Sequence, residues 1–262
     1  MHAPAPKTIP ADLLLMAYRS GIFPMADSRD DEEIYWVEPR ERAVIPLDGL
    51  KVSRSLAKAI RQDRFRVTCN ADFAAVIEAC AAPRPGHPES WISERIADSY
   101  RALHMAGHAH SIECWRGDEL VGGLYGVGFD RAFCGESMFS RATDASKVAL
   151  AWLVALLRHG RYRLLDCQFM TEHLASLGAV TVSRAAYLKK LAEAVAAGPA
   201  MPLCDAYASL LGGAGAGAGD GLAAGAGGAG RRAAGALSSS SSPAAGASSP
   251  GKLILQSLTQ TS

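Results

Sequence analysis

The sequence predicts an α/β fold, more closely an α+β arrangement, in which a small N-terminal unit precedes a mixed sheet and a disordered tail follows it. Strand-like segments alternate with amphipathic helical segments between residues 53 and 197. At the centre, residues 122–140 have the pattern of two apolar strands joined near Asp130 and Arg131, which indicates an antiparallel hairpin. From Gly212 to Gly251 the chain is almost entirely Gly, Ala, Ser and Pro, a composition too poor in apolar mass to fold.

The N-terminal unit is predicted over residues 11–46, after a disordered segment of residues 1–10. A helix from Ala11 to Ser20 should end at Gly21, because glycine readily adopts the left-handed conformation that terminates helices. An acidic loop and the strand-like run IYWV at 34–37 follow. These elements are too few to bury an apolar core alone, so we expect them to pack on the main domain.

The main domain is predicted over residues 47–198. Helices are expected where apolar residues recur at helical spacing, and strands where apolar runs are bounded by turn signals. The predicted order is helix 53–63, strand 66–69, helix 73–80, helix 94–106, strand 109–115, the hairpin, helix 144–159, strand 163–169, helix 172–177, strand 180–183 and helix 184–197. The helix over 144–159 is apolar nearly all round and should therefore lie against the sheet.

Composition narrows the class of protein. The net charge of +1 gives no field that would identify a partner. The six cysteines are scattered without a CxxC pair, which favours reduced thiols in a cytoplasm. The first ten residues hold no apolar signal core, and the longest apolar run, 148–157, is shorter than the roughly 20 residues that span a bilayer. We therefore expect a cytoplasmic protein with no membrane partner. Residues 199–262 are interpreted as a disordered tail, whose apolar cluster at 253–258 is read as having no function, with a weak docking segment as the alternative.

Carboxylates interrupt two of the apolar segments. Glu136 lies in the second strand of the hairpin, and Asp166 lies in the strand-like run RLLDCQF. Because side chains alternate between the faces of a strand, Asp166 and Gln168 should share a face about 7 Å apart. A charge in such a setting needs a partner, hydrogen bonds or a functional role. An Asp that only accepts a hydrogen bond from a neighbouring backbone amide remains the alternative.

Basic residues gather near the start of the main domain. Arg54, Lys58 and Arg61 recur at helical spacing and give one basic helix face, which suits contacts to a phosphate backbone. Lys147 lies in the first turn of its helix, where the helix dipole disfavours a cation, and this placement suggests an anionic ligand. Solvated positions without a role remain the alternative for all four residues.

The sequence contains no motif for metal or nucleotide chemistry. His104, His108 and His110 are close together, but Gly107 should end the helix between them and no further ligand follows at a recognised spacing. There is no G-x-S-x-G elbow, P-loop or dinucleotide fingerprint. We therefore predict neither a metal site nor a cofactor. The residues alone indicate an α/β enzyme with two buried carboxylates and a basic face.

The chain resembles the bacterial leucyl/phenylalanyl-tRNA–protein transferases in segments that cover nearly all of residues 13–195. The motifs GESMFSR, ASK, DCQ and HLASLGA occur in that order and are highly specific. The matching segments are LLMAYRSGIFP at 14–24, VSRSL at 52–56, WISERIADSYRALHMAGHAHSIECW at 91–115, ELVGGLYGVGFDRAFCGESMFSRATDASKVAL at 119–150, LLDCQF at 164–169 and HLASLGAVTVSRAAYLKKL at 173–191.

The resemblance implies a GNAT-like acyltransferase domain, here residues 47–198, behind a small N-terminal domain. It implies transfer of Leu, Phe and, less well, Met from aminoacyl-tRNA to acceptor proteins whose N-terminal residue is Arg or Lys. The new N-terminus would direct the product into the N-degron degradation pathway. No coenzyme A is implied, and the R-x-x-G-x-G/A loop that binds its pyrophosphate in acetyltransferases is missing ahead of the helix over 144–159.

The resemblance also implies roles for the carboxylates. Asp166 is the candidate base that removes a proton from the acceptor's α-amine, with Gln168 orienting it and Glu136 holding the acceptor's cationic end. In the alternative, the terminal hydroxyl of the tRNA relays protons and Asp166 only positions the amine. The glycines of the hairpin would allow close passage of a peptide or an RNA 3′ end.

Donor and tRNA contacts follow from the same resemblance. Trp36 and Trp91 are candidates for stacking on the 3′-terminal adenine, with core packing as the alternative. The basic helix face would follow the phosphates of the acceptor stem. An apolar slot for the donor side chain is expected to be lined by Leu124, Phe133, Met138, Leu153 and Leu165.

Two other functions stay open. One is an N-acetyltransferase of the same fold that uses acetyl-CoA, against which the missing pyrophosphate loop argues. The other is a tRNA-binding module without catalysis, against which the presence of Glu136, Asp166 and Gln168 together argues.

Overall fold

The computed structural model describes residues 8–83, 89–212 and 249–259 and confirms a mixed α/β fold with a small N-terminal part. The elements in chain order are α1 Ala11–Arg19, β1 Phe23–Met25, β2 Tyr35–Val37, β3 Glu41–Val44, α2 Arg54–Arg61, β4 Arg66–Cys69, α3 Phe73–Ala81, α4 Glu94–Met105, β5 Ala109–Arg116, β6 Glu119–Phe129, β7 Ala132–Ser140, α5 Ala145–His159, β8 Leu164–Asp166, α6 Glu172–Ser176, β9 Val180–Ser183, α7 Arg184–Ala196, α8 Leu203–Gly212 and α9 Pro250–Thr259.

Seven strands form one mixed sheet in the order β4-β5-β6-β7-β8-β3-β9. Neighbouring strands are antiparallel except β7 and β8, which run parallel because α5 crosses over between them. β1 and β2 form a separate two-stranded ribbon. The strand β3 lies between β8 and β9, so residues 41–44, which the sequence analysis placed in the N-terminal unit, contribute to the main sheet.

Helices cover both faces of the sheet. One apolar core lies between the sheet and α1, α3, α4 and α7. The other lies beneath α2, α5, α8 and α9. The helix α5 is buried from Ala145 to Leu157 at all positions except Lys147, which confirms that it lies against the sheet.

The glycines of the hairpin make room for the protein's own packing. A Cβ at Gly122 would lie 2.5 Å from the Cβ of Ala145, where the first turn of α5 crosses the sheet. A Cβ at Gly126 would lie 2.3 Å from the carbonyl oxygen of Cys134 and 2.5 Å from the ring of Phe133. Gly122 and Gly126 are therefore needed for packing within the protein, because a side chain would not fit at either position. The sequence analysis did not predict this role.

The interpretation of residues 199–262 as a disordered tail is wrong for two segments. The helices α8 and α9 pack on the α5 side of the sheet, with Leu203, Ala206 and Ile254 fully buried. The apolar residues at 253–258 therefore cover part of the core. Burial of their side chains offsets the conformational entropy that is lost when this segment becomes ordered, which a glycine-rich composition alone cannot do. Residues 1–7, 213–248 and 260–262, also assigned to disorder, lie outside the described residues.

No helix within the described ranges is both long and apolar enough to cross a membrane.

Candidate active site

A cavity of about 630 Å³ opens between β7, the first half of α5 and the segment that follows β8. Its walls are mainly apolar, with several polar side chains among them. Among the residues that line it are Trp91, Leu124, Glu136, Met138, Leu150, Leu153, Leu165, Gln168 and His173. A pocket of this size, mostly apolar with a few convergent polar groups, is typical of small-ligand sites.

A β-bulge directs Glu136 into this cavity. Tyr125 on β6 pairs with Ser137 on β7, and the next residue, Gly126, pairs with Gly135. Glu136 is therefore the extra residue of the bulge and has no partner across the strand pair. Bulges re-aim a side chain and interrupt the alternation of faces, which is how a carboxylate in an apolar strand reaches the pocket.

Only one oxygen of the Glu136 carboxylate accepts hydrogen bonds of ordinary geometry. Its Oε2 accepts hydrogen bonds from Gln168 Nε2 at 2.8 Å and from the Tyr100 hydroxyl at 3.1 Å. The Tyr100 hydroxyl in turn bonds the Tyr18 hydroxyl. Glu136 Oε1 is buried and accepts no hydrogen bond of ordinary geometry among the described residues, although the Tyr18 hydroxyl is close enough to lower the pKa of the carboxyl. A buried carboxylate oxygen without an ordinary hydrogen bond, in a residue that lines a cavity, is a candidate acceptor for a ligand that enters the cavity.

Burial sets the proton affinity of Glu136. Loss of hydration raises its pKa to about 7, and the neighbouring Asp166 acts in the same direction, whereas the hydrogen-bonding groups of Tyr18, Gln168 and Tyr100 lower it. The group therefore changes charge near neutral pH. Such a carboxylate can both hold a cation and exchange a proton with it.

Asp166 lies behind the cavity, at the end of β8, and is fully buried. Its Oδ1 accepts from Arg42 Nε at 3.1 Å, and its Oδ2 accepts from Arg42 Nη2 at 2.5 Å and from the Tyr187 hydroxyl at 3.0 Å. Arg42 is itself buried, donates to the carbonyl oxygen of Gly21, and its guanidinium lies over the ring of Phe23. The ion pair thus joins two neighbouring strands of the main sheet, β3 and β8, and Arg42 links them to the N-terminal part through Gly21 and Phe23.

Gln168 does not continue the strand that carries Asp166. The sequence analysis extended this strand to Phe169 and placed both side chains on one face, but β8 ends at Asp166 and Gln168 has a left-handed φ of 61°. The reason is local: the Gln168 amide donates to Asp166 Oδ1 at 2.9 Å and turns the chain. This turn carries the Gln168 side chain to Glu136. The three predicted catalytic residues are therefore adjacent, in the order Asp166, Gln168, Glu136.

Four of the five residues predicted for the donor slot line the cavity: Leu124, Met138, Leu153 and Leu165. The fifth, Phe133, lies in the same core cluster but near the start of β7, where it is fully buried against Tyr162, and it is not among the lining residues. Leu150, one helical turn before Leu153, lines the cavity and was not singled out from the sequence.

The two tryptophans are placed differently. Trp91 lines the cavity and also packs on the apolar core. Trp36 lies on β2, opposite Pro24, and is 38% exposed outside the cavity. Trp91 alone is thus positioned to contact a ligand in the pocket.

The predicted basic helix face is present on α2. Ser53 caps this helix by accepting a hydrogen bond from the Leu56 amide at 3.2 Å, and Arg54, Lys58 and Arg61 are exposed. Lys147 is half-exposed on α5, with its Nζ 3.4 Å from Asp144 Oδ1. Burial and the charge of Lys147 lower the pKa of His173, a residue of the cavity wall. Lys147 therefore lies between the basic helix and the cavity.

Arg42, Tyr18, Tyr100 and Tyr187 were missed by the sequence analysis. Arg42 carried one signal, because it is a charged residue directly before the apolar run AVI on a short strand. The three tyrosines carried none, since a buried tyrosine has no local mark in the sequence.

No group of three or more His, Cys, Asp or Glu residues within the described part of the chain is arranged to hold a metal ion. His104 stacks on the ring of Phe73 and bonds the carbonyl oxygen of Ala109, so it has a structural setting.

Comparison with known proteins gives matches over most of the chain. A family model described as leucyl/phenylalanyl-tRNA protein transferase matches residues 44–192, and a model of the N-terminal domain of the same proteins matches residues 8–40. A leucyl/phenylalanyl-tRNA–protein transferase of Novosphingobium aromaticivorans is 60% identical over 267 residues, covering 98% of both chains. Proteins of the same name from Zymomonas mobilis and Rhizorhabdus wittichii are each 60% identical, over 70% and 71% of this chain and 68% and 75% of their own lengths.

Proposed function

The chain belongs to the leucyl/phenylalanyl-tRNA–protein transferase family and is an aminoacyltransferase, and we propose that it transfers Leu or Phe, and Met less well, from aminoacyl-tRNA to the N-terminal Arg or Lys of acceptor proteins. The product would carry an N-terminal residue that marks it for the N-degron pathway. Because aminoacyl-tRNA is a cytoplasmic substrate, the proposal places the enzyme in the cytoplasm.

The observation that carries the proposal is the meeting of an apolar cavity with the Glu136 oxygen that accepts no ordinary hydrogen bond. An aminoacyl donor needs an apolar slot for its side chain, and an acceptor α-amine needs a carboxylate. The cavity offers both within one space, since Leu124, Leu153, Leu165 and Glu136 all line it.

The reaction needs no protein nucleophile, because the ester of aminoacyl-tRNA is already activated. The free α-amine attacks the ester carbonyl carbon, the new C–N bond forms, and the C–O bond to the tRNA breaks. The amine loses a proton and the leaving 3′ oxygen gains one. The reference pKa of an α-amine is about 8, so an appreciable fraction is neutral at pH 7.

Glu136 is the carboxylate that would contact the acceptor. Its Oε1 can accept a hydrogen bond from the α-ammonium, and a pKa of about 7 lets it take up the proton that the amine sheds. Gln168 donates a hydrogen bond to the other oxygen and so holds the orientation of the carboxylate toward the amine.

Asp166 would act through Gln168. Both of its oxygens are already bonded, it is fully buried, and it does not line the cavity. These contacts favour the positioning role over the role of a base. Asp166 holds the turn at Gln168, and Gln168 holds Glu136.

The acceptor stem of the tRNA would bind along α2. Arg54 and Lys58 would contact phosphates of the acceptor stem, Lys147 those near the 3′ end, and Trp91 would stack on the terminal adenine. Trp36 lies outside the cavity and would contact only nucleotides that precede the 3′-terminal adenine.

The proposal includes no coenzyme A. An acetyltransferase binds the pyrophosphate at the helix N-terminus that corresponds to α5. Here Asp144 occupies the N-cap position with a left-handed φ of 70°, and its carboxylate lies near Lys147 and Arg64. A carboxylate in this place would repel a pyrophosphate.

Transfer of radiolabelled Leu from Leu-tRNA to peptides tests the proposal. We expect labelling of a peptide that begins with Arg, and none of the same peptide with an acetylated N-terminus, since the attacking amine is then blocked. Glu136→Gln should remove the label while the protein still binds Leu-tRNA. Equal labelling of both peptides contradicts the N-terminal specificity. Label transfer from acetyl-CoA, with none from Leu-tRNA, would establish the acetyltransferase alternative.

A further inference from the structure

Two cysteines that are distant in sequence meet outside the candidate active site. Cys69 is the last residue of β4, and Cys204 lies in the first turn of α8. Their Sγ atoms are 3.6 Å apart. Both are reduced and neither lines the cavity, so the proposed transfer reaction has no use for them.

The surroundings of Cys204 favour its thiolate. Asn70 Nδ2 donates to Cys204 Sγ at 3.1 Å, and the same Nδ2 lies 3.1 Å from His110 Nδ1. The hydrogen bond from the Cys69 thiol, followed by that from His110, lowers the pKa of Cys204. The position in the first helical turn adds the favourable end of the helix dipole.

Cys69 has the complementary character. Its hydrogen bond with Cys204 and its burial raise its pKa, so it keeps its proton and remains the thiol of the pair. The other titratable groups around the two sulfurs are Glu113 on β5, Tyr162 before β8 and Tyr207 on α8, and Arg66 on β4 acts on Tyr207. Glu113 disfavours a second negative charge beside the thiolate, which reinforces the division between the two cysteines.

Access to solvent also separates this pair from most other cysteines. Cys69 and Cys204 are half-buried, whereas Cys80, Cys114 and Cys134 are fully buried. Reactive cysteines combine thiolate character with access, and buried ones without a stabilised thiolate are inert.

We propose that Cys204 and Cys69 form a peroxide-sensitive dithiol, a modification site in which Cys204 is oxidised first and Cys69 then closes a disulfide. The Cys204 thiolate attacks a hydroperoxide oxygen, the O–O bond breaks, and a sulfenic acid forms while the leaving oxygen takes a proton. The Cys69 sulfur then attacks the sulfenic sulfur, and the displaced hydroxide leaves as water with the Cys69 proton. Two thiols and one hydrogen peroxide give one disulfide and two water molecules, so atoms and electrons balance.

Closure of this disulfide has a defined structural consequence. The sulfurs must approach by about 1.5 Å to reach the bonded distance of about 2.05 Å. The bond would join the start of α8 to the edge strand β4, closing a loop between residues that are 135 apart. A crosslink over so long a loop stabilises the folded state by restricting the unfolded chain.

The test uses the full chain, treated with a small excess of hydrogen peroxide, blocked with N-ethylmaleimide and mapped by mass spectrometry. We expect a Cys69–Cys204 linked peptide, loss of two reactive thiols, and no oxidation at Cys80, Cys114 or Cys134. The oxidised protein should melt roughly 5–10 °C higher, and a dithiol reductant should reverse the change. Oxidation spread over all six cysteines, without the linked peptide, overturns the proposal.

Variants assign the two roles. Cys69→Ser should accumulate a dimedone-reactive sulfenic acid at Cys204, and Cys204→Ser should slow oxidation at Cys69 at least about tenfold. Asn70→Ala should raise the midpoint of the pH profile for iodoacetamide alkylation at Cys204, which in the unchanged protein should lie below the ordinary thiol value of about 8.5. A midpoint of about 8.5 or higher in the unchanged protein, or oxidation of Cys69 in Cys204→Ser as fast as in the unchanged protein, contradicts the assignment.

Discussion

Arg42 holds both carboxylate oxygens of Asp166, across 124 residues of chain and with less than 2% of either side chain exposed. This buried pair helps to position the candidate active site. Asp166 accepts a hydrogen bond from the Gln168 amide, and the Gln168 side chain donates a hydrogen bond to Glu136. It also fastens the N-terminal part, since Arg42 donates to the carbonyl oxygen of Gly21. One interaction therefore serves both the assembly of the fold and the geometry of the site.

A double-mutant cycle at this pair should show strong coupling. Arg42→Met or Asp166→Leu alone leaves one buried charge unpaired, and each should cost about 3–5 kcal/mol of unfolding free energy. The double variant should cost less than the sum by about 1–3 kcal/mol, because it removes both charges together. Urea denaturation measures all three values.

The exposed pair Arg184–Glu38 provides the matched control. Its side chains are about half exposed, at 48% and 50%. The same substitutions there, Arg184→Met and Glu38→Leu, should show coupling below about 1 kcal/mol, since water screens the pair. Additive costs at Arg42 and Asp166 would mean that the buried ion pair contributes no more than a surface pair.

Stability should fall with rising pH because of Glu136. Its pKa is raised from 4.5 to about 7 in the folded protein. Between these values the folded state binds more protons than the unfolded state, so unfolding free energy is lost as pH rises from about 4.5 to 7. The loss attributable to this residue is about 3 kcal/mol. Denaturation at pH 5 and pH 8 measures it.

The variant Glu136→Gln isolates this contribution. Its amide cannot ionise, so it should gain stability relative to the unchanged protein as pH rises, and the difference should level off above about pH 7. A difference between the two proteins that stays constant from pH 5 to pH 8 would show that Glu136 keeps an ordinary proton affinity.

Periodic and punctuated segments were predictable, and long-range partners were not. The hairpin, α2, α5 and α7 carried repeating apolar positions with capping or turn residues, and the structure has them within a few residues of the prediction. The strand β3 was missed because its four residues, ERAV, show no strand pattern of their own. The helix α9 was missed because its apolar residues follow a long glycine-rich stretch, and only contact with α2 and α5 gives them a core.

The same distinction holds for the site. Glu136 and Asp166 were found because a carboxylate in an apolar run is conspicuous. The direction of Glu136 depends on a bulge, and that of Gln168 on a turn made by Asp166, and neither is visible as periodicity. Phe133 was misplaced for another long-range reason, since it lies on the same side of the sheet as the cavity but is covered there by Tyr162.

Narrowing the cavity should change the choice of donor. Leu153 lines the cavity from α5, and Leu153→Phe would fill part of the space that a donor side chain needs. The larger Phe donor should lose more, so kcat/KM for Phe-tRNA should fall at least about tenfold relative to Leu-tRNA. Leu153→Met conserves volume and should leave the ratio nearly unchanged. Equal loss for both donors would remove Leu153 from the donor slot.

The basic face of α2 should determine the salt dependence of tRNA binding. Each phosphate contact adds about 0.7–0.9 to the slope of log K against log salt concentration. Charge reversal by Arg54→Glu with Lys58→Glu should therefore flatten the slope by about 2. Lys189→Glu with Lys190→Glu gives a matched control, because these exposed lysines lie on α7 in the opposite helical layer. Equal flattening by both double variants would show a diffuse charge effect rather than contacts at α2.

The helix α9 should contribute to stability although a glycine-rich stretch precedes it. Ile254, on the inner side of this helix, is fully buried. Two hydrogen bonds also hold the helix: the Gly251 amide donates to Asp63 Oδ1 at 2.7 Å, and Arg158 donates to the carbonyl oxygen of Leu258 at 3.0 Å. Ile254→Ala should cost about 2–5 kcal/mol, because it opens a cavity in this core. Urea denaturation measures the loss, and hydrogen exchange over residues 250–259 shows whether the helix undocks first.

Two further variants make the test of α9 specific. A Cβ at Gly251 would lie 1.8 Å from the carbonyl oxygen of Ile60, so Gly251→Ala should undock the helix as well. Gln256 is exposed on the same helix, and Gln256→Ala should change stability by less than about 0.5 kcal/mol. If Ile254→Ala and Gln256→Ala were equally mild, α9 would not be held against α2 and α5 in solution. If Ile254→Ala and Gly251→Ala were both costly, the glycine-rich stretch would be a connection between two folded parts of one core.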